Sequence, residues 1–146
     1  MSGADDRPAG GARPVFHWPV RVYYEDTDAL GVVYNANYLR FLERARTEWL
    51  RARGHDQGRL AAEAGLGFIV VRVEVDFLRP ARLDDCLDVS VAVAERRRAS
   101  FTLAQEIARG GQALVRAVVQ VACVDARTLR PRRLPDMILA ELEDAF

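Results

Sequence analysis

Between Val20 and Leu50 the chain changes its hydrophobic period once, and that change constrains everything after it. The segment reads VRVYYEDTDALGVVYNANYLRFLERARTEWL. An apolar, aromatic strand pattern, expected from Val15 to Tyr24, ends in three acids, Glu25, Asp26 and Asp28. A turn from Asp28 to Tyr34 holds Gly31, which takes positive φ without a Cβ clash. A helical period then begins: Tyr38, Phe41, Leu42, Ala45 and Trp49 share one face. The helix is expected to start at Asn35 or Asn37, either able to cap it, and to run to Arg53, where Gly54 stops it. On its wet face Arg44 and Glu48 stand four apart. A carboxylate is thus set beside the opening N–H groups of a buried helix, which carry a partial positive charge. That pairing suits chemistry at a carbonyl: an acid to attack or to activate water, and donors for the developing oxyanion.

Almost all the rest reads as β structure. A short helix is possible within Asp56 to Ala64. Val71, Val73, Val75 and Phe77 alternate with Arg72, Glu74 and Asp76, and Pro80 closes that run. Leu87, Val89, Val91 and Val93 alternate next, and Phe101, Leu103 and Ile107 line a third run. Gly110-Gly111 marks a tight hairpin. Ala113 to Val124 is apolar on both faces, which places it centrally in a sheet. Met137 to Phe146 closes the chain as a short helix entered through Pro135 and Asp136. One long helix cannot cover both faces of a five-stranded sheet, so a symmetric homo-oligomer, dimer or tetramer, is expected.

Composition excludes several classes. The 146 residues suit one domain, taken as 14–146, behind a Gly-, Ala- and Pro-rich tail at 1–13 that is expected to be disordered. The net charge is zero, which argues against nucleic-acid binding. There is no Lys among the 21 basic residues, so no Schiff-base or P-loop lysine exists. The serines are Ser2, Ser90 and Ser100, without GxSxG, which excludes a serine hydrolase. Cys86 and Cys123 match no metal or redox spacing and are expected to be buried packing residues. His17 and His55 are expected on the surface. No signal peptide and no membrane-length apolar window is found, which points to the cytoplasm.

The residues Tyr23-Tyr24-Glu25-Asp26-Thr27-Asp28, Gly31-Val32-Val33-Tyr34, Tyr38 and Glu43-Arg44-Ala45-Arg46 resemble the hotdog-fold acyl-CoA thioesterases. Within them the chain is similar to the YbgC-type, Tol–Pal-associated branch related to 4-hydroxybenzoyl-CoA thioesterase. Arg79-Pro80-Ala81-Arg82-Leu83-Asp84-Asp85 and Cys123-Val124-Asp125 agree, and the likeness spans about Val15 to Glu141. It implies an α+β fold in which a curved five-stranded antiparallel sheet wraps one long helix, with two active sites at a dimer interface.

The resemblance also assigns roles. Asp28 matches the catalytic acid, as nucleophile or general base. Backbone N–H groups near Val33 and Tyr34 match the oxyanion donors. Tyr24 matches a tyrosine near the site. Asn35 departs from the His of many relatives, and it cannot titrate. Glu43, in the ERAR signature, is expected in a structural ion pair, and Glu48 on the solvated face. Arg96, Arg97 and Arg98, and also Arg127, Arg130, Arg132 and Arg133, are candidates for the phosphates of coenzyme A or for an acidic acyl-carrier protein. The expected function is hydrolysis of an acyl-CoA or acyl-carrier-protein thioester without metal or redox cofactor. The alternative is a non-catalytic acyl-binding or scaffold protein of the envelope or phospholipid-synthesis machinery.

Overall fold

The computed structural model describes residues 15–144. The tail expected at 1–13 and the last two residues lie outside the described residues. One antiparallel sheet contains β1 (Phe16–Arg21), β2 (Leu66–Phe77), β3 (Cys86–Arg96), β4 (Ser100–Arg109) and β5 (Gln112–Asp125), in the order β1-β3-β4-β5-β2. Helix α1 (Asn35–Ala52) crosses one face, burying Tyr38, Phe41, Leu42, Ala45, Trp49 and Leu50. Facing it are the alternate residues of the strands, among them Leu87, Val89, Val91, Phe101, Leu103 and Val119, all in one apolar cluster. This is the helix-in-sheet arrangement that the resemblance implies.

The local signals act as expected. Arg109 pairs with Gln112 around Gly110 and Gly111, both at positive φ (56° and 80°), the geometry of a two-residue hairpin loop. β5 lies between β4 and β2. Register shifts at Val70/Arg72, Val93/Glu95 and Ile107/Ala108 insert the irregularities that bend strands around a helix. Pro19 is tolerated because β1 is an edge. Between α1 and β2 the chain makes a helical turn, α2 (Gln57–Arg59), and a π-helix (Leu60–Ala64). Helix α3 (Asp136–Asp144) docks through Ile138 and Leu142.

Three local expectations are corrected. His55 is buried, 8% exposed, and its Nε2 lies 2.5 Å from Glu141 Oε2, tying α3 to the end of α1. Cys86 is exposed, because it opens β3 at the sheet margin, whereas Cys123 is buried in the core as expected. Burial pushes the Cys123 thiol up to about 11, with the Arg132 charge opposing. Glu48 accepts from Arg51 at 2.6 Å, not from Arg44, whose guanidinium sits 5.6 Å above the Phe41 ring. Glu43 accepts from the Thr47 hydroxyl at 2.8 Å, and its charge also acts on the guanidinium of Arg46 in the same signature.

Candidate active site

The loop between β1 and α1 is closed by backbone bonds. Asp26 N donates to Tyr23 O, Asp28 N donates to Val32 O, and Gly31 N donates to Asp28 O. Thr27 bridges Val33, and Val32 bridges Arg82, so the loop is stitched to the segment entering β3. Gly31 stands at φ 79°, which explains the glycine in this turn.

Two aspartates two residues apart have opposite environments. Asp26 is 3% exposed; its Oδ2 accepts from Tyr23 N and its Oδ1 from Asn37 Nδ2, each at 2.8 Å. It fastens the loop to the first turn of α1. Asp28 is exposed, and only its Oδ1 is engaged, by Leu30 N at 2.8 Å. One buried carboxylate is structural, and one exposed carboxylate is presented. The sequence reading assigned Asp26 no role; the D-x-D doublet was its only local signal.

The start of α1 lacks a side-chain cap. Tyr34 is the N-cap residue, in extended backbone, and no side chain bonds the first-turn amides. Neither asparagine caps: Asn37 is committed to Asp26, and Asn35 is exposed. The N–H groups of Val33 and Tyr34 are also committed, to Ala81 O and Asp26 O, each at 2.9 Å. Asn37 N donates to Tyr34 O at 2.8 Å. The amides left open at the helix start are therefore those of Asn35 and Ala36, two residues beyond the pair singled out from sequence.

Tyr38 links this turn to its surroundings. Its hydroxyl accepts from Ala81 N at 2.9 Å, and its ring lies 5.6 Å from that of Phe77, at the end of β2. Burial pushes the phenol above its ordinary value; the Ala81 bond and the Arg109 charge pull it down, while the Asp28 and Asp85 charges push it up. Asp28 is thus close enough to the first turn of α1 for its charge to act there. Asp85 in turn accepts from Arg109 at 2.6 Å and from Arg82 N at 2.8 Å.

The other named residues are placed as follows. Tyr34 is 53% exposed and flanks the open amides. Tyr24 is 82% exposed, in the 3-10 turn Tyr24–Asp26, turned to solvent in a single chain. Arg96, Arg97 and Arg98 lie at the β3–β4 turn, where Arg97 Nε donates to Glu95 at 2.9 Å. The Asp28 loop is joined to the opposite end of β3, so the two are separated by about 30 Å along the strand. Within one chain the structure does not bring these arginines to Asp28.

The chain matches the thioesterase-like superfamily over residues 22–142. It belongs to that family. It is 46% identical over 130 residues to the acyl-CoA thioester hydrolase YbgC of Escherichia coli O6:H1, covering 88% of this chain and 96% of that protein. It is also 46% identical over 125 residues to the acyl-CoA thioesterase YbgC of Haemophilus influenzae, covering 86% and 92% of the two chains. Among solved structures, a probable thioesterase from Bartonella henselae superposes with a TM-score of 0.80 at 39% identity, covering 84% of this chain and all of that one.

Proposed function

We propose that this chain hydrolyses an acyl-CoA thioester to a carboxylic acid and free thiol, with Asp28 as the reacting acid and the N–H groups of Asn35 and Ala36 as the oxyanion donors. The observation that carries this reading is a contrast beside the helix start: the Val33 and Tyr34 amides and both oxygens of the Asp26 carboxylate are engaged, while Asp28 Oδ2 and two helix-opening amides remain available. The resemblance, together with relatives whose names are acyl-CoA thioester hydrolases, supports the same assignment.

The thioester oxygen rests against the first turn of α1, where the macrodipole adds to the two donors as negative charge develops. Asp28 either attacks the carbonyl carbon, giving an anhydride that water opens, or takes a proton from the attacking water. Thiolate is a good leaving group, so the bond breaks without further activation. Asn35 contributes its backbone to the oxyanion rather than a titrating side chain to water.

The same reading requires a second copy. β2 is an edge strand of twelve residues, and Val70, Val71, Val73 and Phe77 along it are 41%, 56%, 39% and 53% exposed. A long apolar edge of this kind pairs with its own copy about a twofold axis, antiparallel. The pair closes the open side of the site beside Phe77 and Tyr38. The arginines at the β3–β4 turn reach a coenzyme A phosphate only from the neighbouring copy. An acyl-carrier protein as alternative carrier, and action in the cytoplasm, belong to the same proposal.

Asp28→Asn is the test. Thiol release from an acyl-CoA panel falls about 10³-fold or more. Circular dichroism and oligomeric mass stay as in the parent, because Asp28 bonds only its own turn. Undiminished turnover, with mass spectrometry excluding deamidation, refutes the role.

A further inference from the structure

Ala81 staples the two sides of the helix start together. It is fully buried, and both of its main-chain groups are engaged there. Ala81 N donates to the Tyr38 hydroxyl, and Ala81 O accepts from Val33 N, each at 2.9 Å. Val33 stands just before the N-cap, and Tyr38 lies one turn inside α1. The open amides of Asn35 and Ala36 lie between these two attachments. First-turn amides make no bond within their own helix, so nothing inside α1 fixes their aim. What fixes it is the backbone on either side, held at one end by a carbonyl and at the other by a phenol.

The segment that carries Ala81 is itself braced. Arg79 N donates to Leu114 O of β5 at 3.1 Å. At the far end Val22 N donates to Asp85 O and Asp84 N to Val22 O, each at 3.0 Å. From β4 the Arg109 guanidinium donates to Asp85 Oδ2 at 2.6 Å and to Pro80 O at 3.4 Å. Tyr38 is fixed by its ring, edge-on to Phe41 at 6.2 Å and tilted against Phe77 at 5.6 Å. Of the residues that α1 buries, it alone carries a hydroxyl. A phenylalanine fills the same apolar volume, so packing does not require the oxygen. The polar contact that the oxygen adds is the Ala81 N–H.

We propose that the Tyr38 hydroxyl is a positioning group for thioester hydrolysis: through Ala81 it holds the Asn35 and Ala36 amides in the direction of the developing oxyanion. The inference rests on the reading of those amides as donors. Without the hydroxyl the Ala81 N–H is buried with no acceptor, and a buried unpaired donor forces its segment to move. That movement draws Ala81 O away from Val33 N, so both legs of the staple are lost together. A carbonyl released beside the helix start then competes for the donors that the substrate needs.

The experiment compares Tyr38→Phe with the parent in kinetics, and the double variant Tyr38→Phe/Asp28→Asn with Asp28→Asn in infrared spectroscopy. The probe is the acyl-CoA of the panel that the parent hydrolyses fastest, isotope-labelled at its carbonyl carbon. In Tyr38→Phe kcat per folded molecule falls at least about tenfold, toward the roughly 10²-fold that misplacement by an ångström costs, while KM stays within about twofold. Asp28→Asn binds the thioester without consuming it, and the carbonyl band lies below that of the free thioester because the amides polarise the bond. In the double variant the band moves back by about half of that shift. A hydroxyl that served stability alone lowers the folded fraction and leaves the band in place. Tyr38→Phe with the parent's kcat, or a band unmoved by the second substitution, overturns the inference and leaves Asp28 and its donors standing. Turnover by Asp28→Asn, or a bound band no lower than the free one, overturns the reading of the site and this inference with it. If Tyr38→Phe does not fold, Arg109→Gln loosens the same segment from its other side and replaces it in both comparisons, with the same outcomes deciding.

Discussion

The two ends of α1 are finished in opposite ways. At the C-terminal end every available device is used. Arg53 N and His55 N donate to Leu50 O, and Gly54 N donates to Arg51 O. Gly54 takes the left-handed conformation at φ 84°, and the buried His55 is tied to Glu141 of α3. The N-terminal end has no side-chain cap and keeps the Asn35 and Ala36 amides open. The N-cap position is held by Tyr34, whose side chain makes no cap, and both asparagines lie inside the first turn. A capping side chain typically contributes about 1 kcal/mol. That stabilisation is forgone at the end proposed here to hold the carbonyl, and taken at the other.

Substitutions at the two ends separate activity from stability. Asp28→Asn, at the open end, changes turnover by orders of magnitude with no loss of stability. At the finished end the largest effect is on stability. Trp49 is 2% exposed and lies against Phe101 and under the Arg53 guanidinium, 4.8 Å from its ring centroid. Trp49→Ala lowers unfolding free energy by about 3–5 kcal/mol, read from urea midpoints. A midpoint within error of the parent would show that this half of the helix does not anchor the fold.

Asp26→Asn tests the coupling between loop and helix at the open end. It turns an acceptor into a donor facing Tyr23 N or Asn37 Nδ2, and costs about 1–3 kcal/mol. Because the same carboxylate holds the loop that carries Asp28, kcat falls as well. Lost stability with full kcat would show that Asp28 is placed without Asp26. The smallest effect is expected at Gly54. A Cβ there meets nothing within 4 Å, so the cost of Gly54→Ala is backbone strain alone, about 1–2 kcal/mol. Thermal unfolding reads it, and kcat per folded molecule is unchanged.

Legibility followed the range of the forces involved. The faces of α1 and of β3 to β5 were read correctly because Tyr38, Phe41 and Leu42, or Val89, Val91 and Val93, repeat within a few residues. The Gly110-Gly111 turn and the Gly54 stop are equally local. Local pattern fails wherever a distant partner decides. His55 has no neighbour in sequence that predicts Glu141, and Cys86 is exposed because β3 begins at the sheet margin. Arg44 chose the Phe41 ring over the carboxylate four residues on.

The candidate site divides along the same line. The presented acid, the glycine turn and the helix beginning are consecutive residues, and the chain itself announces them. Which amides stay open is set by Ala81 O, nearly fifty residues away, and by Asp26 O, because a donor satisfied by one carbonyl is unavailable to another. The Ala81 staple joins the segment before β3 to the first turn of α1, and no sequence pattern brings those two together. Sequence determined the elements and the loop that presents Asp28, since local periodicity and turn chemistry are properties of neighbouring residues. Tertiary structure decided the open donors and the staple beside them, since hydrogen-bond competition exists only between segments that folding has brought into contact.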